Sequence, residues 1–286
     1  MNTSSGFASV QQPVVGGPLL IAHRGLSARF PENTLASFAA AQLEGSEAVE
    51  FDVQLTADGE IVVFHDEYLS RITGQGGRVS DFTYDELCRL DAGAWKGETF
   101  VGQLIPRLAD LEVFWSTVRF VNIEMKSFGD NDYRLAEAVA AYVHERKGNF
   151  LVSASDWELL RYYRRLDPVT PLAVLFDQAK WTEALALADE LGAVAVNPDS
   201  RSVAAPWVAL ARGRGLDVYV HTINSPEDAA SLYRLGVTGI FTDDTTVLQA
   251  ALADVLASEP AVPQSAPSLG LANSLLPSGL GDIVTG

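Results

Sequence analysis

AVEFDVQLTADGEIVVFHD, residues 48–66, decides how the rest of the chain is read. In its first six residues Glu50 and Asp52 alternate with Phe51 and Val53. Strand side chains point to opposite faces in turn, so the two carboxylates share one face and the two apolar side chains the other. Asp58-Gly59 between alternating runs predicts a hairpin. EIVVFH then folds back as an extra antiparallel strand. With the turn centred on Asp58-Gly59, Val53 faces Phe64 and Asp52 faces His65. That puts His65 on the carboxylate face, and a shift of one residue in register would turn it away.

A strand of this kind needs helices over its apolar face and a polar cavity on the other. The chain supplies the helices. Short apolar runs at 19–23, 48–53, 119–125, 150–154, 171–176, 193–197, 216–222 and 238–243 alternate with helical patterns such as YRLAEAVAAYVHERKG and WTEALALADELG. Several of these end in Gly, a C-cap signal. Eight strand–helix units point to an α/β fold, a (β/α)₈ TIM barrel, at 18–258. Residues 67–118 form a small insertion after the second strand and its hairpin. An open doubly wound sheet is the runner-up, but no Gly-rich dinucleotide loop follows the first strand. Residues 1–17 read as a flexible N-terminal segment, and the Pro/Ser/Gly-rich residues 259–286 as a tail outside the core.

Composition excludes several classes. The 286 residues are 48% hydrophobic and 20% charged, ordinary for a globular chain. No apolar run approaches the roughly 18 residues of a membrane helix, and the N-terminus lacks the features of a secretory signal. The single cysteine, Cys88, excludes an internal disulfide and a multi-Cys zinc site. It reads as a small buried residue on a helix, and the cytoplasm is the expected location. The net charge of −17 disfavours nucleic acid and anionic membranes as partners. It also repels small anions at long range, so a phosphate substrate needs local positive charge.

Polar residues gather at strand ends. His23 and Arg24 close LLIAH, and in NIEMK Glu124 and Lys126 share a face. Glu50, Asp52 and Glu124 suit one hard cation with oxygen ligands, Mg²⁺ or Ca²⁺. In PENT, Asn33 or Thr34 is the N-cap of LASFAAAQLEG, and Glu32 can reach back to orient His23 or Arg24. His144 reads as a surface residue at a helix end, and GQGGR as a plain loop.

The ordered set His23-Arg24-Gly25, Pro31-Glu32-Asn33-Thr34, Glu50-x-Asp52-Val53-x-x-Thr56-x-Asp58-Gly59, His65-Asp66 and Glu124-x-Lys126 resembles the glycerophosphodiester phosphodiesterase family. The resemblance continues through LDAG.W at 90–95 and IPRL at 105–108 to HTINS and GIFTDD, covering roughly residues 19–250. It implies a (β/α)₈ barrel that hydrolyses glycerophosphodiesters to glycerol 3-phosphate and an alcohol. It further implies Glu50, Asp52 and Glu124 as metal ligands, His23 and His65 as general acid and base, and Arg24 and Lys126 on the phosphate. The nucleophile is either water or the glycerol's own hydroxyl, the latter through a cyclic phosphate. Physical chemistry agrees: an anionic diester needs charge stabilisation and two proton transfers.

One position departs from the family. Its Trp-Thr-x-Asn motif is here His221-Thr222-Ile223-Asn224. A smaller, more polar side chain then faces the glycerol or head group, and His221 is a candidate substrate contact. Two alternatives share the site. One is a lysophospholipase D-like or other phosphodiesterase, favoured by an apolar groove from Phe82, Trp95 and Phe100. The other is a non-catalytic barrel that binds a phosphodiester or metal.

Overall fold

Alternation along the strands sorts the residues into layers around a closed sheet. The computed structural model describes residues 17–115, 118–129, 133–146, 148–178 and 180–257. The tail at 259–286 and all of the N-terminal segment but residue 17 lie outside these.

The strands are β1 (Leu19–His23), β2 (Ala48–Leu55), β3 (Ile61–Val63), β4 (Phe120–Met125), β5 (Phe150–Ala154), β6 (Leu172–Phe176), β7 (Ala195–Pro198), β8 (Asp217–Val220) and β9 (Gly239–Thr242). All except β3 pair in parallel, and β1 pairs with both β2 and β9. The sheet therefore closes on itself as an eight-stranded TIM barrel with alternating helices, and the open-sheet alternative is excluded.

Outward-facing Val49, Phe51, Val53, Val121, Ile123 and Met125 are buried in the main core with helical residues such as Phe38, Leu159, Leu160 and Tyr163. The helix Trp157–Leu166 shows the local logic: Asp156 caps it by accepting from the Glu158 and Leu159 amides at 3.0 and 3.1 Å. Phe51 meets the edge of Phe38 at 5.8 Å between centroids. Phe51→Ala should cost about 3–5 kcal/mol, measured by denaturant unfolding, because transfer and cavity terms add.

The inward faces divide along the barrel axis. Ile21, Ala48, Phe120, Leu151, Ala173, Ala195, Tyr219 and Phe241 fill the interior as an apolar plug, where Phe120 stacks on Tyr219. Further along the same faces come His23, Glu50, Asp52, Asn122, Glu124, Ser153, Asn197 and His221. Polar groups thus collect at the C-terminal ends of the strands, where barrel enzymes work.

The hairpin forms with a different register. Val53 pairs with Val63, Gln54 with Val62 and Leu55 with Ile61. The Thr56 amide donates to Glu60 O at 3.0 Å, so the loop has three residues, 57–59, rather than two. Gly59 sits at φ +88°, the left-handed position that such a loop needs. Asp52 therefore faces Phe64, whose amide donates to Asp52 O at 2.9 Å, and not His65. Gly59→Val should destabilise by about 1–2 kcal/mol through this backbone conformation, read as a lower melting temperature.

The segment after β3 carries short helical turns at Ser70–Thr73, Tyr84–Leu87 and Glu112–Trp115. It packs its own small core, including Phe64, Leu69, Ile72, Leu87 and Ile105, with Phe82 against it. Cys88 is half-buried at the C-cap after Tyr84–Leu87, not buried within a helix.

Candidate active site

The first strand delivers His23 and Arg24 through a tight turn. Arg24 adopts φ +58° and Gly25 φ +81°. A Cβ on Gly25 would collide with Ser37 of the helix Leu35–Leu43, so glycine lets the turn and helix approach. Thr34 caps that helix. Asn33, the other capping candidate, takes φ +57° and donates from Nδ2 to Asp52 Oδ2 at 2.8 Å.

Glu50 and Asp52 are almost fully buried, with Glu124 beside them. Register places His23 beside Glu50 and Asp52 beside Glu124. The three carboxylates have oxygens within 4.8 Å of one another. Lys126 Nζ lies 2.6 Å from Glu124 Oε1 and 3.1 Å from Asp52 Oδ1, and Arg24 Nε lies 3.2 Å from Asp52 Oδ2. The two contacts to Asp52 lack hydrogen-bond alignment. Among the described residues, Asp52 Oδ1 and Glu50 Oε1 remain buried acceptors without a hydrogen-bond donor.

Charge follows this geometry. Burial, with Asp52 and Glu124 adding to it, pushes the Glu50 carboxyl well above the ordinary range. Burial acts the same way on Asp52, but Lys126 and Arg24 overcome it and hold that carboxyl far below its usual value. Burial lowers Lys126, yet its carboxylate neighbours raise it further than burial depresses it. A buried all-oxygen donor set with two unmatched acceptors fits a hard divalent cation. Among the described residues, two other groups with carboxylates are close enough for an ion, Glu32–His65–Asp66 and Asp177–Asp199–His221. Arg71 already bridges the first, and Arg201 forks onto Asp199 in the second.

Both histidines are anchored alike. His23 Nδ1 lies 2.8 Å from Asp243 Oδ1, and His65 Nδ1 lies 2.7 Å from Asp66 Oδ1. Burial raises Asp243, but the His23 bond dominates with Asn224 and Ser27 and brings it to about 2. An ionised acceptor makes Nδ1 the donor and leaves Nε2 as the available atom of a neutral ring. For His65, burial favours the neutral ring and outweighs the pull of Asp52.

His65 reaches the site although the ladder does not aim it there. Gln54, fourth on the inward face of β2 after Ala48, Glu50 and Asp52, donates from Nε2 to Phe64 O and Asp66 O at 2.9 and 2.8 Å. These bonds clasp the chain on either side of His65 as it leaves β3. The i, i+2 count that marks Glu50 and Asp52 also reaches Gln54. Asp66 and Asp243 stand in the quoted motifs, but their sequence positions give no sign that each holds a histidine.

A cavity of about 210 Å³ brings together His23, Arg24, Glu50, His65, Glu124 and Lys126. Asp52 lies just behind it. His221 is on the wall with Asp177 and Thr222. Its Nε2 is 3.6 Å from Asp177 Oδ1, its buried Nδ1 has no hydrogen-bond partner among the described residues, and burial favours its neutral form. Phe82, Trp95 and Phe100 do not line this cavity. His144 lies on the surface in the last turn of Arg134–Glu145.

Comparison with known proteins agrees with this arrangement. Residues 23–247 match the model of the glycerophosphoryl diester phosphodiesterase family. A glycerophosphodiester phosphodiesterase from Caldanaerobacter subterraneus subsp. tengcongensis is 34% identical over 235 residues, covering 80% of this chain and 96% of that one. One from Bacillus subtilis is 31% identical, covering 79% and 83%. Among solved structures, an Oleispira antarctica phosphodiesterase in complex with the product sn-glycerol-3-phosphate has a TM-score of 0.78 at 30% identity, covering 82% and 97%. With the family model spanning the strand ends that build the cavity, the chain belongs to the glycerophosphodiester phosphodiesterase family of hydrolases.

Proposed function

We propose that the protein hydrolyses glycerophosphodiesters to glycerol 3-phosphate and an alcohol at this cavity, with a divalent cation, Mg²⁺ or Ca²⁺, held by Glu50, Asp52 and Glu124. One observation carries the reading: two histidines, each anchored through Nδ1 by an aspartate, line one cavity with a carboxylate cluster that has unmatched buried oxygens. The product bound to the Oleispira relative and the names of the curated relatives support the substrate class.

The cation, when bound, supplies Lewis-acid stabilisation of the phosphoryl oxygens. Arg24 and Lys126 add fixed positive charge at the phosphate and offset the repulsion from a chain of net charge −17. Glu32 holds the Arg24 guanidinium through Nη1 at 2.7 Å. One histidine accepts at Nε2 the proton of the attacking hydroxyl, from water or from the glycerol itself. The other, having first taken a proton from solvent to become an imidazolium that its aspartate pairs through Nδ1, donates from Nε2 to the departing alcohol oxygen. If the glycerol hydroxyl attacks, the two exchange roles when water opens the cyclic phosphate.

Hydrolysis of glycerophosphocholine with and without a chelator, beside His23→Ala and Glu50→Ala, tests this. Full activity in either variant sinks the mechanism.

His221 is the proposed contact for the part of the substrate beyond the phosphate. Its imidazole stands on the cavity wall and offers a polar contact to a hydroxyl or ammonium group. His221→Ala should raise KM about 3–30-fold with kcat changed much less, as expected when ground state and transition state lose the same contact. Steady-state kinetics on several glycerophosphodiesters checks this.

A further inference from the structure

Arg71, Trp95 and Lys96 belong to the insertion, and none of them lines the cavity. Arg71 grips two carboxylates. Its Nη1 and Nη2 donate to Glu32 at 3.0 and 2.7 Å, and its Nε and Nη2 donate to both oxygens of Asp66. Glu32 in turn holds Arg24, and Asp66 holds His65. Lys96 reaches the other histidine. Its Nζ donates to Ser27 O at 2.6 Å, and Ser27 Oγ is 2.7 Å from His23 O and 3.1 Å from Asp243 Oδ1. Trp95 joins the two cations. Arg71 lies 5.6 Å and Lys96 Nζ 5.4 Å from its ring centroid, and its Nε1 donates to Ala92 O at 3.0 Å.

We propose that Arg71, Trp95 and Lys96 form one strut through which the insertion positions both histidines, building on the hydrolase reading above. A carboxylate gripped at both oxygens cannot swing, so Asp66 holds His65 with Nδ1 protonated and Nε2 toward the cavity. Lysine cannot replace the planar fork that spans two carboxylates. The Arg71 side chain is 45% exposed, and exposed ion pairs add little to stability. The loss on substitution therefore falls on geometry rather than on folding. All three are positioning residues.

Arg71→Ala should lower kcat about 10–100-fold, with the affinity for Mg²⁺ or Ca²⁺ unchanged by calorimetry and the melting temperature lowered by less than about 3 °C. Arg71→Lys should resemble it, added guanidinium should restore part of the Arg71→Ala activity, and Trp95→Phe should lose less than Trp95→Ala. The chain has four histidines, so side-chain ¹⁵N spectra at neutral pH can report each tautomer. In Arg71→Ala the His65 signal should move toward a mixture of tautomers while His23 stays fixed. In Lys96→Met only His23 should change. The proposal is overturned if Arg71→Ala and Arg71→Lys both keep kcat within threefold of the parent, or if His65 keeps its tautomer in both. A parent protein that hydrolyses no glycerophosphodiester would defeat the activity reading alone, because the spectra test the strut without turnover.

Discussion

Glu50→Gln is expected to lower kcat/KM on glycerophosphocholine about 10³-fold or more, and chelation of the divalent cation should do the same. The substitution keeps the shape of the side chain and an oxygen for the Arg24 amide, which now bonds Glu50 Oε2 at 3.0 Å. It removes a negative charge from an almost fully buried cluster. The same change should stabilise the metal-free protein, by about 1–3 kcal/mol, because an unmatched buried group is costly. The sign follows from the raised carboxyl of Glu50. A folded value above the unfolded one favours folding below about pH 4, the ordinary range. That benefit is lost as pH rises through the folded value. The metal-free parent should therefore fall behind Glu50→Gln as pH rises, and added Mg²⁺ or Ca²⁺ should raise the melting temperature of the parent far more than that of the variant. Equal activity, or equal response to the cation, would contradict the assignment.

His23→Ala and His65→Ala should each lower kcat about 10²–10⁴-fold, the usual contribution of one positioned acid or base. The double variant should lose less than the product of the two, since the transfers serve one reaction. His23 also gives a stability test. Asp243 is brought to about 2 on folding, below the ordinary aspartate value of about 3.9. Its contribution is full above the unfolded value and is lost as pH falls through about 2. The gap in melting temperature between parent and His23→Ala, measured from pH 6 to pH 2, should narrow toward the acid end.

Much of this was legible in alternation. The period of two puts Glu50 and Asp52 together, and the recurrence of short apolar runs predicts the barrel. The eight runs coincide with β1, β2 and β4–β9 to within about two residues at either end. Histidine geometry was less legible. Asp58-Gly59 marks a turn, but a loop of two residues and one of three both carry that pair, and they differ by one in register. His65 lines the cavity although the register differs by one from the expected pairing, because Gln54 holds the chain on either side of it beyond the last ladder pair. Asp243 lies 220 residues from His23. Only closure of β9 onto β1 brings them together, and no local pattern encodes that distance.

One edge of β2 serves two masters. Up to Glu50 it bonds β1 and the Arg24 amide, and from Asp52 onward it bonds Phe64 and β3. The barrel seam thus parts at its mouth, and the insertion hangs from a length of edge that closure does not use. This makes the first part of the insertion a module. Segments of other lengths and sequences between residues 66 and 104 should leave the cylinder shut, because Leu108 and Leu111, which are buried in the main core, stay in place, provided that the graft returns an arginine to Asp66 and a cation to the carbonyl of Ser27.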